Sequence, residues 1–204
     1  MSYRYSWNAA TKAIWVLIGA NVLLFLATLF ARNSGFLNTL VISRDNLTTY
    51  PWSLVTSMFL HSPYDYFHIL FNMLWLYWYG TALVRILGEG KFLALYFAGG
   101  IIGNLTFVLI EPYASAIGAS GAVLALGGAL AVMRPKIKVV LFPIPIPMDL
   151  WVYVLFGSVL LGIVMPALSS FSLVGWQAHL GGLLTGVATG FYFRRWERKR
   201  GIWY

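Results

Sequence analysis

Six apolar stretches, residues 13–31, 67–83, 92–110, 117–133, 148–166 and 176–193, recur along this 204-residue chain. Each comes close to the roughly 20 residues that cross a bilayer as a helix. Backbone N–H and C=O groups in hydrocarbon must be bonded within the chain, and apolar segments of this length meet that demand as helices. The expectation is an all-α polytopic membrane protein of six transmembrane helices, one domain over residues 1–204. Charged residues make up 10% of the sequence, against about 25% in soluble domains, which agrees.

Basic residues orient the spans. Arg4, Lys12, Arg85, Lys91, Arg134, Lys136, Lys138, Arg194, Arg195, Arg198, Lys199 and Arg200 are twelve of the fourteen, and alternating spans place them on one side. Arg32 and Arg44 fall on the other, beside Asp45, Asp65 and Glu111. The positive-inside bias then puts both termini in the cytoplasm, as an even number of spans requires. No small-residue cleavage site follows a short apolar core after Arg4 and Lys12, so the first helix is expected to stay rather than to be removed as a signal peptide.

The net charge of +8 follows the membrane faces and does not imply nucleic acid. The tail from Arg194 to Arg200 is expected to meet anionic lipid headgroups. With no cysteine, disulfides and thiolate metal sites are excluded, and no cofactor or metal is implied.

The longest connection, residues 32–66, mixes turn signals (Asn33-Ser34-Gly35, Arg44-Asp45-Asn46) with apolar stretches at 36–42 and 52–60. Loops this long in compact folds tend to be functional, and aromatic residues favour the membrane interface. An ordered, partly membrane-embedded loop on the outer face is expected. Pro143, Pro145 and Pro147 rule out a regular helix after the fourth span, so the fifth is expected to begin near Met148 beyond a segment that re-enters the interface.

Polar residues inside the spans coincide in depth. Asn72 lies thirteen residues from Arg85, Ser120 fourteen from Arg134, and His179 fifteen from Arg194. At about 1.5 Å per residue these counts place all three roughly 20 to 22 Å above the cytoplasmic boundary. His68 is one turn from Asn72 on the same helix face. Ser120 within Gly118-Ala119-Ser120-Gly121 is a candidate nucleophile, and His179 within Ala178-His179-Leu180-Gly181-Gly182 a candidate base. Together they point to a protease that cuts inside the bilayer.

Each residue also has a plainer reading. A histidine inside the membrane equally serves as a hydrogen-bond partner between helices, and a serine between glycines as a small residue for close packing. Gly182, Gly186 and Gly190, four residues apart, read as a stripe that lets the sixth span press on a neighbour. If Gly118 and Gly121 belong to the fourth span's packing face, that contact brings Ser120 within reach of His179. No carboxylate is placed to complete a triad, because Asp45, Asp65, Glu89, Glu111, Asp149 and Glu197 lie at span ends or in loops. No span carries a charge at its midplane, unlike a transporter or channel.

Four stretches in the same order resemble the rhomboid family of intramembrane serine proteases. They are Phe59-Leu60-His61 with His68-Ile69-Leu70-Phe71-Asn72, residues 99–104 ending in Asn104, Gly118-Ala119-Ser120-Gly121-Ala122-Val123, and Ala178-His179-Leu180-Gly181-Gly182 with Gly186. The resemblance implies a six-helix rhomboid-like bundle of the minimal prokaryotic type, in an inner membrane, with a membrane-associated loop between helices 1 and 2. It implies a Ser120–His179 dyad, with His68, Asn72 and the Ser120 backbone N–H as oxyanion donors. Gly118, Gly121, Gly182 and Gly186 would be its structural glycines. Single-pass transmembrane proteins would be the substrates, entering by spans two and five beneath a cap at residues 167–175.

The chain departs from the family pattern at several positions. His61 precedes His68 by seven residues, two more than usual, with the extra length expected in residues 62–66. Trp52-Ser53 stands where Trp-Arg is usual, Leu124 replaces a common aromatic below the serine, and Val84 replaces a glutamate. The competing class is a rhomboid-like pseudoprotease that binds or escorts membrane proteins without cutting them.

Overall fold

The structure is a computed structural model and describes residues 11–30, 35–141, 144–154, 175–199 and 201. The expected fifth span and the cap at 167–175 fall almost wholly outside these residues. The described chain is mostly helical. Its long helices are α1 (Lys12–Phe30), α5 (Tyr66–Leu87), α6 (Glu89–Ile110), α7 (Ser120–Met133) and α9 (Trp176–Lys199). Short helices α2 (Gly35–Asn38), α3 (Arg44–Thr49) and α4 (Ser53–Thr56) order the long connection, and α8 (Leu150–Tyr153) follows it far downstream.

Of the described helices, α1 and α6 are long and apolar enough to cross a membrane by length and mean hydropathy, at 2.3 and 2.0, and α7 is apolar but shorter. The other two long helices are diluted for visible reasons. Tyr66, His68, Asn72, Tyr77, Tyr79 and Arg85 lower the hydropathy of α5, and α9 runs on through Arg194, Arg195, Glu197, Arg198 and Lys199.

Helices α6, α7 and α9 form the centre. Their backbones approach because glycine faces backbone: a Cβ on Gly182 would overlap the Gly121 carbonyl, and one on Gly186 the Ala125 carbonyl. Close backbone approach maximises dispersion contact where lipid offers no hydrophobic gain. Gly88, at φ 84, turns the chain directly from α5 into α6, a positive-φ conformation that glycine adopts without strain.

Within its described residues, 35–65, the connection is ordered. Asn104 on α6 donates its amide to the Leu54 carbonyl at 2.8 Å and to Ser57 Oγ at 2.9 Å. Thr56 Oγ1 donates to the Leu40 carbonyl at 2.9 Å. A two-residue strand, β1 (Ile42–Ser43), pairs antiparallel with β2 (Ser115–Ala116), which tethers the connection to the approach of α7.

Between α7 and α8 stands a hairpin of β3 (Lys138–Leu141) and β4 (Ile144–Asp149), closed by a Lys138–Asp149 ion pair of 2.6 Å. Proline is tolerated here because a two-stranded hairpin has only edge strands. The next helix begins at Leu150, two residues after Met148. At the same end, Glu197 is fully buried and accepts two hydrogen bonds from the Arg134 guanidinium, at 2.8 and 2.9 Å, joining the C-terminal ends of α7 and α9.

Candidate active site

The structure brings Ser120 and His179 together. Ser120 is the first residue of α7, and His179 lies in the first turn of α9. His179 Nε2 stands 2.7 Å from Ser120 Oγ. His179 is 8% exposed and Ser120 partly buried, so the pair is shielded without being sealed.

Helix packing places this pair. The Ala178 carbonyl, next to His179, is nested between Gly103 of α6 and Gly121 of α7, where added Cβ atoms would stand 2.7 and 3.1 Å from its oxygen. Two glycines on two helices thus set how deeply the first turn of α9 seats. Gly121 directly follows Ser120, so the same contact that positions His179 positions the serine.

Before Ser120 the chain turns at Gly118, whose φ of 126 lies in a region L side chains avoid. Its N–H donates to the Ser57 carbonyl at 2.9 Å, so the long connection holds this turn. A Cβ on Gly118 would stand 2.9 Å from both Cε1 and Nε2 of His68 and 3.8 Å from Ser120 Oγ. The His68 ring therefore lies over the turn that leads into Ser120.

His68 sits in the first turn of α5, fixed by the N-cap Asp65, whose carboxylate accepts the His68 N–H at 3.1 Å. Asn72, also on α5 and buried, donates its amide to the His68 carbonyl at 2.8 Å. In this state Asn72 is bonded within its own helix. The first N–H groups of α7 lack partners along the helix, and their dipole favours a negative charge at Ser120.

His61 reaches the site in spite of its longer spacing. Residues 62–65 bulge as a turn, and the His61 and His68 rings meet at 5.0 Å between centroids, 61° apart in plane. His61 is fully buried, and neither ring nitrogen makes a hydrogen bond of good geometry among the described residues. Burial first, and His68 second, pull its pKa down to about 3. Sequence spacing alone could not reveal this contact, because the intervening turn absorbs the two additional residues.

The remaining departures find ordinary places. Ser53 and Val84 are buried, Val84 in the main apolar core, and Leu124 is partly buried against that core. The carboxylates are engaged away from His179. Asp65 caps α5, Glu89 accepts the Ala13 N–H, Glu111 meets Gln177, Asp149 meets Lys138 and Glu197 meets Arg134, while Asp45 is exposed at the start of α3. An arrangement of serine, histidine and helix N-terminus can attack a carbonyl and hold the resulting oxyanion.

A protein-family model described as the Rhomboid domain matches residues 48–196. Among curated proteins, the mitochondrial Rhomboid protein 1 of Saccharomyces cerevisiae is 32% identical over 196 residues, covering 92% of this chain and 55% of that protein. The putative rhomboid protease YdcA of Bacillus subtilis is 35% identical over 105 residues, 47% of this chain and 52% of that protein. Rhomboid protease GluP of the same bacterium is 44% identical over 79 residues, 39% of this chain and 15% of that protein. The chain spans about half the length of the first two relatives, 55% and 52%, and less of the third.

Proposed function

The chain belongs to the rhomboid family, and from that premise we propose that it is an intramembrane serine endopeptidase cutting transmembrane segments of other proteins. The observation that carries this reading is the 2.7 Å contact between His179 Nε2 and Ser120 Oγ. His179 takes the hydroxyl proton as Ser120 Oγ attacks the scissile carbonyl, then delivers it to the leaving amine. Water, deprotonated by His179, hydrolyses the acyl-enzyme and frees Ser120.

The oxyanion forms at the N-terminus of α7, where the Ser120 N–H, the His68 ring and the Asn72 amide serve as donors. For Asn72 this requires turning from the His68 carbonyl that it now meets. Gly118, Gly121, Gly182 and Gly186 hold the frame. No side-chain carboxylate meets His179 among the described residues, and the seat of Ala178 between Gly103 and Gly121 fixes the backbone that carries the imidazole.

Rhomboids are integral membrane proteins. The finer reading is one domain over 1–204, with α1, α5, α6, α7, the expected fifth span and α9 as six spans and both termini on the basic, cytoplasmic side. Substrate helices enter between α5 and the fifth span and unwind near their outer ends. Relatives named as mitochondrial, from yeast and Arabidopsis thaliana, lend the expected prokaryotic inner membrane no support.

A fluorophosphonate probe tests the dyad without a known substrate. Covalent labelling of the purified protein that disappears in Ser120→Ala and falls steeply in His179→Ala supports the reading. A parent protein that resists the probe would favour the rhomboid-like binder or escort instead.

A further inference from the structure

The exposed face of α9 carries a groove of about 490 Å³ lined by Phe191, Arg194, Arg195 and Arg198. Three arginines line it, and no carboxylate does so among the described residues. The only acid in this part of α9, Glu197, points the other way: it is 0% exposed and held by Arg134. Arg194 is steadied at the groove edge, its Nη1 donating to the Val132 carbonyl at 3.4 Å.

The groove continues along the helix as an apolar strip. Leu184, Ala188, Phe191, Arg195 and Arg198 recur at the spacing of a single helix face, and Leu184 and Phe191 are 58% and 59% exposed. Leu184 lies roughly 16 Å along the axis from Arg195. Half of a hydrocarbon core about 30 Å thick is nearly the same length. The strip is therefore one leaflet deep, apolar toward the midplane and cationic at the boundary.

We infer that this groove is a binding site for the phosphate of an anionic phospholipid, whose acyl chain lies along Phe191 and Leu184. Guanidinium groups suit this ligand because their planar donors engage phosphate oxygens in pairs. The apolar strip is what separates a lipid from free phosphate, which has nothing to lay against Phe191. Gly182 and Gly186 face α7 from the other side of α9, so the lipid does not compete for the cleft that holds His179. The inference rests on membrane residence and not on the proposed catalysis.

Native mass spectrometry of the full chain, delipidated in detergent and titrated with phosphatidylglycerol or with phosphatidylcholine of the same chains, tests it. Phosphatidylglycerol is retained in preference. The pair Arg195→Gln and Arg198→Gln weakens its retention about twenty-fivefold, at about fivefold for each basic side chain. The pair Lys136→Gln and Lys138→Gln, which removes the same charge from the same side, leaves retention nearly unchanged. Equal losses from both pairs, or no loss from the arginine pair, would overturn the site. Displacement of phosphatidylglycerol by an equal concentration of inorganic phosphate would overturn the lipid as its ligand. Serine labelling by fluorophosphonate is unchanged in the arginine pair, so failure of this inference and failure of the protease reading are distinguishable.

Discussion

Ser120 and His179, 59 residues apart in sequence, meet at 2.7 Å because α7 and α9 press backbone against backbone on either side of the contact. Gly103 and Gly121 seat the Ala178 carbonyl, and Gly182 and Gly186 bring α9 onto the Gly121 and Ala125 carbonyls. The site is thus only as well aligned as the helix packing below it.

Alanine at Gly182 or Gly186 should separate the pair. Each added Cβ overlaps a backbone carbonyl, which cannot swing aside as a side chain would. Overpacking of this kind costs about 1 to 3 kcal/mol, and the larger effect is expected on kcat, through a longer Ser120–His179 distance. Gly19→Ala is the control, because nothing lies within 4 Å of its Cβ position. Cleavage rate and melting temperature for the three variants check the point.

His68 is expected to matter through its place over the Gly118 turn. His68→Ala should lower kcat by about a hundredfold or more, as loss of one oxyanion donor does, with little change in melting temperature. Gly118→Ala should be worse in both respects, since its Cβ meets the His68 ring at 2.9 Å and its φ of 126 disfavours any side chain. Steady-state kinetics beside thermal unfolding separates these outcomes.

How far the sequence could be read differs between the spans and their connections. Apolar length marked all five described long helices, and counting from Arg134 and Arg194 put Ser120 and His179 at one depth, where their side chains in fact touch. Charge anchors make such counts possible because they pin each helix to a boundary. The β3–β4 hairpin is not legible in the sequence, because Pro143, Pro145 and Pro147 point to the end of a helix and an interfacial segment, and proline is compatible with a strand only where, as here, both strands are edges. The Arg134–Glu197 pair is equally hidden in the sequence, since a basic tail expected at lipid headgroups gives no sign that α9 continues through it and buries Glu197. The His61–His68 contact depends on the course of a turn, which local spacing does not encode.

The Arg134–Glu197 pair should respond unequally to loss of either partner. Its side chains are 30% and 1% exposed respectively, so Arg134 can rehydrate where Glu197 cannot. Arg134→Ala leaves a buried carboxylate without its partner and should cost about 3 to 5 kcal/mol. Glu197→Ala should cost less. Equal destabilisation of the two variants in detergent would contradict the burial seen here.

Acid should destabilise the fold through His61. Its pKa is drawn from 6.5 to about 3 by burial and by His68. Between those values the unfolded chain binds a proton that the folded chain refuses, so stability falls as pH drops below 6.5 and is indifferent to His61 above it. Between pH 7 and pH 5 the loss from this group is about 2 kcal/mol. His61→Leu should flatten that part of the profile in thermal unfolding measured across pH.

The central claim is that Ser120 and His179 act together on a transmembrane substrate. Cleavage of a tagged single-pass substrate by the purified protein in detergent, beside Ser120→Ala and His179→Ala prepared identically, tests it most directly. The parent is expected to cleave near the outer end of the substrate helix, and neither variant to cleave at all. Cleavage that persists at the parental rate in either variant would contradict it.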